Sequence, residues 1–274
     1  MRKYASRIYL CVIFAILYIP ILTLILFSFN NSESTANFTG FSFEWYIKLF
    51  QDEAAFIALR NTLILAVSSA LLSTIIGTAA AEGIYKMRTK WFKKVITSVT
   101  NIPMMNPDIV TGVSFMLLFA AVVTIFKINY DSIGFLAMLI AHTTFCLPYV
   151  ILNVLPRINE LGDSLSEAAL DLGCTPTQAF FKVKLPNIMP GVISGMVMAF
   201  TLSLDDFVIS YFVSPSNFQT LPLLIYSMTK KTVKPDMYAL STLIIVTVFT
   251  LLILSNIKSF KKSGQQAKKG GKRK

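Results

Sequence analysis

Charge is what this sequence has least of. Only 14% of its 274 residues are Asp, Glu, Lys or Arg, against about 25% in soluble domains, while 54% are hydrophobic. That composition excludes a soluble globular chain and indicates a membrane protein. Histidine occurs once, at His142, and cysteine three times, at Cys11, Cys146 and Cys174. The three thiols fall on two apolar runs and a loop, which excludes a disulfide framework. No metal-ligand cluster and no nucleophile motif can be assembled, so no catalytic residue, metal or cofactor is expected. The phosphate loop G-x-x-x-x-G-K-[ST] is absent as well. The chain is therefore not expected to be an enzyme or to bind ATP in that manner. A lone imidazole without acids nearby in sequence reads as an interhelical hydrogen bond and not as a proton relay.

Against these absences stand long apolar runs. Residues 8–29, 61–81, 133–154 and 237–257 carry no charge, and each is long enough for the roughly 20 residues of a spanning helix. Residues 95–126 and 187–213 are as apolar but contain Asp108 and the pair Asp205-Asp206. As one helix, 95–126 would measure about 48 Å against a hydrocarbon core of about 30 Å. It must break, and Pro103 and Pro107 place the break near 103–107, with Met104 to Pro107 as a hinge. The fold class is all-α with six membrane spans.

Lysine and arginine set the orientation. Most of the 25 gather at residues 1–7, at Lys86 to Lys94, at Arg157, Lys182 and Lys184, and in the low-complexity tail 258–274. The positive-inside rule then predicts both termini in the cytoplasm, with 1–7 a cytoplasmic start, 8–257 the membrane domain, 155–186 a cytoplasmic loop and 258–274 a disordered basic tail. The N-terminal run has no small-residue cleavage site after Phe29 and reads as an anchor, not a signal peptide. The net charge of +11 suggests nucleic acid, but the cations are juxtamembrane and no recognition fold surrounds them. Membrane lipid headgroups are the expected partner, and Glu82 is expected to face them.

The loop 155–186 is unusually elaborate. Ser164-Leu165-Ser166-Glu167 reads as a capping box opening a helix, and Gly173 stops it. Thr175-Pro176-Thr177-Gln178 opens a second helix, with Pro176 at the first helical position, and Leu185-Pro186 closes it. The order Glu167-Ala168-Ala169, Gly173, then Val183-Lys184-Leu185-Pro186 resembles the signature loop of binding-protein-dependent ABC importer permeases, with Val183 in place of isoleucine and Cys174 where a small residue is common. The resemblance implies a type I importer (MetI-like) fold in a bacterial plasma membrane. It also implies that Glu167, Ala168, Ala169, Gly173, Leu185 and Pro186 belong to a coupling helix that docks on a cytoplasmic ATPase.

Cargo is approached through the acids. Asp108 opens the half-helix after Pro107, where it either caps that helix or lines a pathway. Asp205 and Asp206, on a helix from about Pro190, would lie about 100° apart and toward the outer side. Thr201 and Ser210 continue their two polar stripes, and Phe207 and Tyr211 offer aromatic faces to a cation. Trp45 is an interfacial anchor by default, or an aromatic at the external mouth that meets an ammonium group. No lysine or arginine interrupts the spans, so the pathway should prefer cations.

The strings Met105-Asn106-Pro107-Asp108-Ile109-Val110, His142 to Val150, Phe200 to Asp206 (which holds Ser203) and Leu221 to Met228 resemble PotC-type permease subunits of spermidine/putrescine importers. That resemblance implies polyamine cargo, and the pathway for it is expected to draw on Asp205, Asp206, Asp108, Trp45, Ser203, Phe207 and Tyr211. The implied partners are a PotB-like second permease, a PotA-like ATPase dimer and a PotD-like extracellular polyamine-binding protein. Alternatives are another small cation or solute carried by the same family, and a proton-coupled secondary transporter using Asp205, Asp206 and His142.

Overall fold

A computed structural model of the chain describes residues 2–32, 37–230 and 237–250 except 244 and 248. It divides into two compact units, Met1–Leu59 with Leu223–Lys274, and Arg60–Pro222. The tail 258–274 and the last residues of the run 237–257 lie outside the described residues.

In the first unit, α1 (Arg2–Phe27) is apolar around its whole circumference from Ile8 onward and leaves most of that surface exposed, as a helix does when lipid is its solvent. The chain then folds back on itself through a single bridge between Asn30 and Phe41. Asn30 organises this turn: its Nδ2 donates to Asn37 O at 2.7 Å, and its Oδ1 accepts from Thr39 N at 2.9 Å. Phe29 packs on Phe43 and Tyr46 with ring centroids 5.4 and 5.1 Å away. The short helix α2 (Glu44–Gln51) is closed onto the turn by Trp45, whose Nε1 donates to Asn30 O at 2.6 Å.

The second unit is built around α6 (Tyr130–Leu161). Met138, Ala141, Cys146, Val150, Val154 and Ile158 form its fully buried stripe. Three other elements approach it: α3 (Glu53–Lys86), α4 (Lys90–Met105) and α9 (Leu185–Asp205). Val150 sits where backbones come closest. A Cβ added at Gly77 of α3 would stand 2.7 Å from Val150 Cγ1, and one at Gly195 of α9 would stand 3.2 Å from Val150 Cα. Glycine at both positions lets three helices share one valine. On another side of α6, α5 (Asp108–Phe126) packs against α10 (Val208–Val213). α11 (Leu221–Thr229) follows, and Leu221 N donates to Thr62 Oγ1 at 2.7 Å.

Among the described residues, five helices are long and apolar enough to cross a membrane, and the spans at α3 and α6 exceed the predicted 61–81 and 133–154 at both ends. A sixth candidate appears as the shorter apolar helix Met237–Thr247. Three local expectations are corrected. The break in 95–126 is narrower than predicted: Pro103 stays inside α4, and only Asn106 and Pro107 are non-helical. Asn106 is extended, with ψ of 141°, because the ring of Pro107 disfavours the helical region for the residue before it.

The segment 187–213 is not one helix either; it stops at Asp205 and restarts at Val208. Finally, Leu185-Pro186 does not end a helix. The chain runs from α8 (Pro176–Gln178) through a π-helical turn (Ala179–Lys184) straight into α9. The wider turn accommodates the missing amide of Pro186 without breaking the rod.

Candidate functional site

Two groups of side chains stand out, one at the break between α9 and α10 and one at the end of α3 beside the loop helices.

At the break, Asp206 adopts an extended backbone with ψ of 121° and turns its carboxylate forward onto α10. Its Oδ2 accepts from Ser210 N at 2.8 Å, and its Oδ1 from Ile209 N at 3.3 Å. It serves as the side-chain cap of a half-helix whose first amides would otherwise be orphaned. The side chain is 6% exposed. Behind it lies His142, 1% exposed, with Nε2 at 3.1 Å from Ser210 Oγ and 3.5 Å from Asp206 Oδ2. On the other side of the ring, Nδ1 lies 2.9 Å from Ser203 Oγ, which is 2.8 Å from Ser69 Oγ on α3.

A carboxylate beside Nε2 calls for a proton there, which leaves Nδ1 to accept from Ser203 and Ser203 to accept from Ser69. One polar chain thus joins α3, α9, α6 and α10. The lone histidine is the interhelical hydrogen bond the sequence suggested.

This arrangement sorts the candidate pathway residues. Ser203 and Asp206 both take part in this chain of hydrogen bonds. The two acids are not neighbours on a helix, because the helix ends between them. Thr201 gives its hydroxyl to Val197 O at 2.9 Å, so it does not extend a polar stripe to Asp205. Asp205, by contrast, is exposed at the end of α9, and Tyr211 is exposed on α10 with its ring 5.6 Å from that of Phe207.

Asp108 is exposed at the first turn of α5, where no side-chain cap forms. Trp45 belongs to the other unit; it is buried against Asn30, and Lys48 Nζ lies 4.6 Å from its ring centroid.

At the second group, α7 (Ser164–Asp171) carries Glu167 and Ala168 on its exposed side and Ala169 on its buried side, against the π turn. The expected capping box at Ser164 is absent: the N-cap is Asp163, with no side-chain bond. Gly173 does stop the helix. Its φ of 86° is left-handed, Cys174 N donates to Ala169 O at 3.0 Å and Gly173 N to Leu170 O at 2.9 Å, a Schellman closure. The second box is formed in full, with Thr175 Oγ1 accepting from Gln178 N at 3.3 Å and Gln178 Oε1 from Thr175 N at 3.2 Å. Between the two caps Leu172 projects, 87% exposed.

Glu82 does not face headgroups. Its carboxylate is held by Lys184 of the π turn, with Nζ at 2.9 and 2.8 Å from the two oxygens, and Lys86 adds a third contact at 3.1 Å. Sequence reasoning counted Lys184 only as a loop cation. The signal it missed is the spacing of buried positions: Ala179, Lys184, Ile188, Gly191, Gly195, Ala199 and Ser203 form one stripe, which a helix continues through Lys184 and a loop would not.

The family model for the inner membrane component of binding-protein-dependent transport systems matches residues 73–259. The chain belongs to this family. The permease is 38% identical over 256 residues to the spermidine/putrescine transport system permease protein PotC of Haemophilus influenzae, covering 93% of this chain and 96% of that one. It is 40% identical over 235 residues to the putrescine transport system permease protein PotI of Escherichia coli, covering 86% and 83%.

Among solved structures, the permease superposes on a chain of a bacterial ABC transporter that imports the acidic polysaccharide alginate, with a TM-score of 0.75, 17% identity and coverage of 94% and 95%. That likeness fixes the importer permease fold. Family membership also makes the permease a membrane-embedded transport subunit and not a catalytic enzyme, and it displaces the proton-coupled alternative.

Proposed function

We propose that this permease is one subunit of an ATP-driven importer that carries polyamines such as spermidine and putrescine across the cell membrane. The observation that carries the reading is its match, along almost its whole length, to permeases named for those two amines. Chemistry supports it. A polyamine is a row of ammonium groups on methylene spacers, and Asp205, Asp108, Phe207 and Tyr211 offer carboxylates interspersed with aromatic surface near α6. The fold alone says nothing of cargo, since a structural neighbour takes an anionic polysaccharide.

The same reading includes a second permease (PotB-like), an ATPase dimer (PotA-like) that hydrolyses the ATP, and an extracellular polyamine-binding protein (PotD-like). Both termini are cytoplasmic. The elements from Glu167 to Pro186 dock on the ATPase, supported by the Schellman closure of α7 and the capping box that opens α8, which leave Glu167, Ala168 and Leu172 exposed. The test is uptake of radiolabelled putrescine and spermidine into cells lacking other polyamine uptake, with the partner subunits co-expressed. ATP-dependent accumulation that requires this chain is expected. An assembled, ATP-hydrolysing complex that accumulates neither amine would shift the reading to another small cation or solute.

A further inference from the structure

The bond between Lys184 and Glu82 joins residues 102 positions apart at the place where the loop helices meet the membrane helices. Lys184 is the last residue of the π turn and is 3% exposed. Its ammonium touches both oxygens of Glu82 and lies 4.4 Å from the centroid of the Tyr85 ring, one turn further along α3. The Tyr85 ring also receives Lys93 of α4, at 5.3 Å. A buried ion pair contributes little net stability, because desolvation offsets the attraction, but losing one partner strands the other charge. What such a pair supplies is a fixed distance and direction between two rods.

The π turn is what aims Lys184 inward. Ala179 and Lys184 are both buried and five residues apart, whereas the buried positions that follow, Lys184, Ile188, Gly191, Gly195 and Ala199, are three or four apart. A spacing of five keeps one face only where the helix takes a wider turn. The same two rods are pinned again further in, where Ser69 of α3 meets Ser203 of α9 at 2.8 Å. The two pins lie roughly 20 Å apart along α3 and roughly 28 Å apart along α9. The second pin opens onto His142 and Asp206 at the helix break.

We propose that Lys184 and Glu82 form the charged joint through which displacement of the loop helices reaches α3 and α9, and with them the broken helix beside the acids. This rests on the reading that Glu167 to Pro186 docks on the ATPase. Lys184 and Glu82 are positioning residues: they touch neither cargo nor nucleotide, and their loss separates ATP hydrolysis from transport.

The experiment measures ATP hydrolysed per spermidine imported by the complete importer in proteoliposomes, with the loaded binding protein supplied. Lys184→Met should raise that ratio about tenfold, as expected for a residue that carries coupling between sites, while the ATPase still co-purifies. Lys184→Arg, which keeps a cation able to meet both oxygens, should restore the ratio to within about threefold of wild type. An unchanged ratio in an assembled Lys184→Met complex overturns the proposal. If that variant does not assemble, Glu82→Gln decides by the same ratio, because it keeps the shape and one acceptor for the amine: a raised ratio supports the joint and an unchanged one overturns it.

A Glu167→Lys control separates the two readings. If the ATPase still binds and couples normally in that variant, docking through the loop fails whatever Lys184 does.

Discussion

At the scale of single residues, the adjacent acids Asp205 and Asp206 have different work. Asp206 accepts two amide hydrogens of α10 and stands behind His142, so Asp206→Asn replaces a carboxylate acceptor with a neutral amide in a buried network. The loss should be about 1–3 kcal/mol, measured as a lower melting temperature and lower yield of the purified complex. Asp205 holds no such cap. Asp205→Asn should leave melting and assembly unchanged and reduce polyamine uptake by about tenfold, the scale of an ammonium contact that is only partly dehydrated. Uptake at the wild-type rate in Asp205→Asn would remove this acid from the pathway. In the sequence both residues read alike as membrane acids, because what separates them is a helix that stops between them.

At the scale of elements, the loop helices are defined more by their ends than by their middles. Gly173 sits at φ of 86°, a conformation that costs a branched residue about 1–3 kcal/mol. A Cβ there would meet nothing within 4 Å, so the penalty is one of backbone alone. Gly173→Val should therefore leave membrane insertion intact and displace α7 relative to the π turn. Co-purification of the ATPase subunit with the variant, compared with wild type, measures the effect, and equal recovery with normal coupling would show that the Schellman closure is dispensable.

These ends were legible in the sequence because glycine, threonine and proline act locally. Gly173 and the Thr175 box were read correctly for that reason. The box at Ser164 was misread because a Ser-x-x-Glu pattern permits a cap without compelling it, and Asp163 took the position. The continuation through Leu185-Pro186 was missed for a different reason: proline at the start of a rod and proline at its end look alike until the π turn is seen.

At the scale of the whole molecule, the composition alone indicated a membrane protein, and the spaced loop motif indicated the family. Neither could reveal which helices share a contact, because Ser69 with Ser203 and Glu82 with Lys184 are separated by more than a hundred residues and obey no local rule. Orientation is a global property that the lysines and arginines predict. A cysteine introduced at Ser216, in the connection between α10 and α11, should react with an impermeant thiol reagent added outside intact cells, and one at Ser263 should react only after the membrane is opened. The native thiols Cys11, Cys146 and Cys174 are replaced first. The reverse pattern would place the coupling helices on the wrong side.

The π turn also bears on how this protein can change over time. Nine residues separate Gly173 from Val183, and that interval contains both the second cap and most of the widened turn. Substitutions within it alter a side chain, but a deletion of one residue that the widened turn does not absorb would swing everything before it by about 100° around the axis of α9. Glu167 and Leu172 would then point away from wherever they now point, although every side chain that matters was still present. The interval is thus a ruler whose length is constrained more tightly than its letters, and an insertion or deletion there is an error that later point mutations cannot repair.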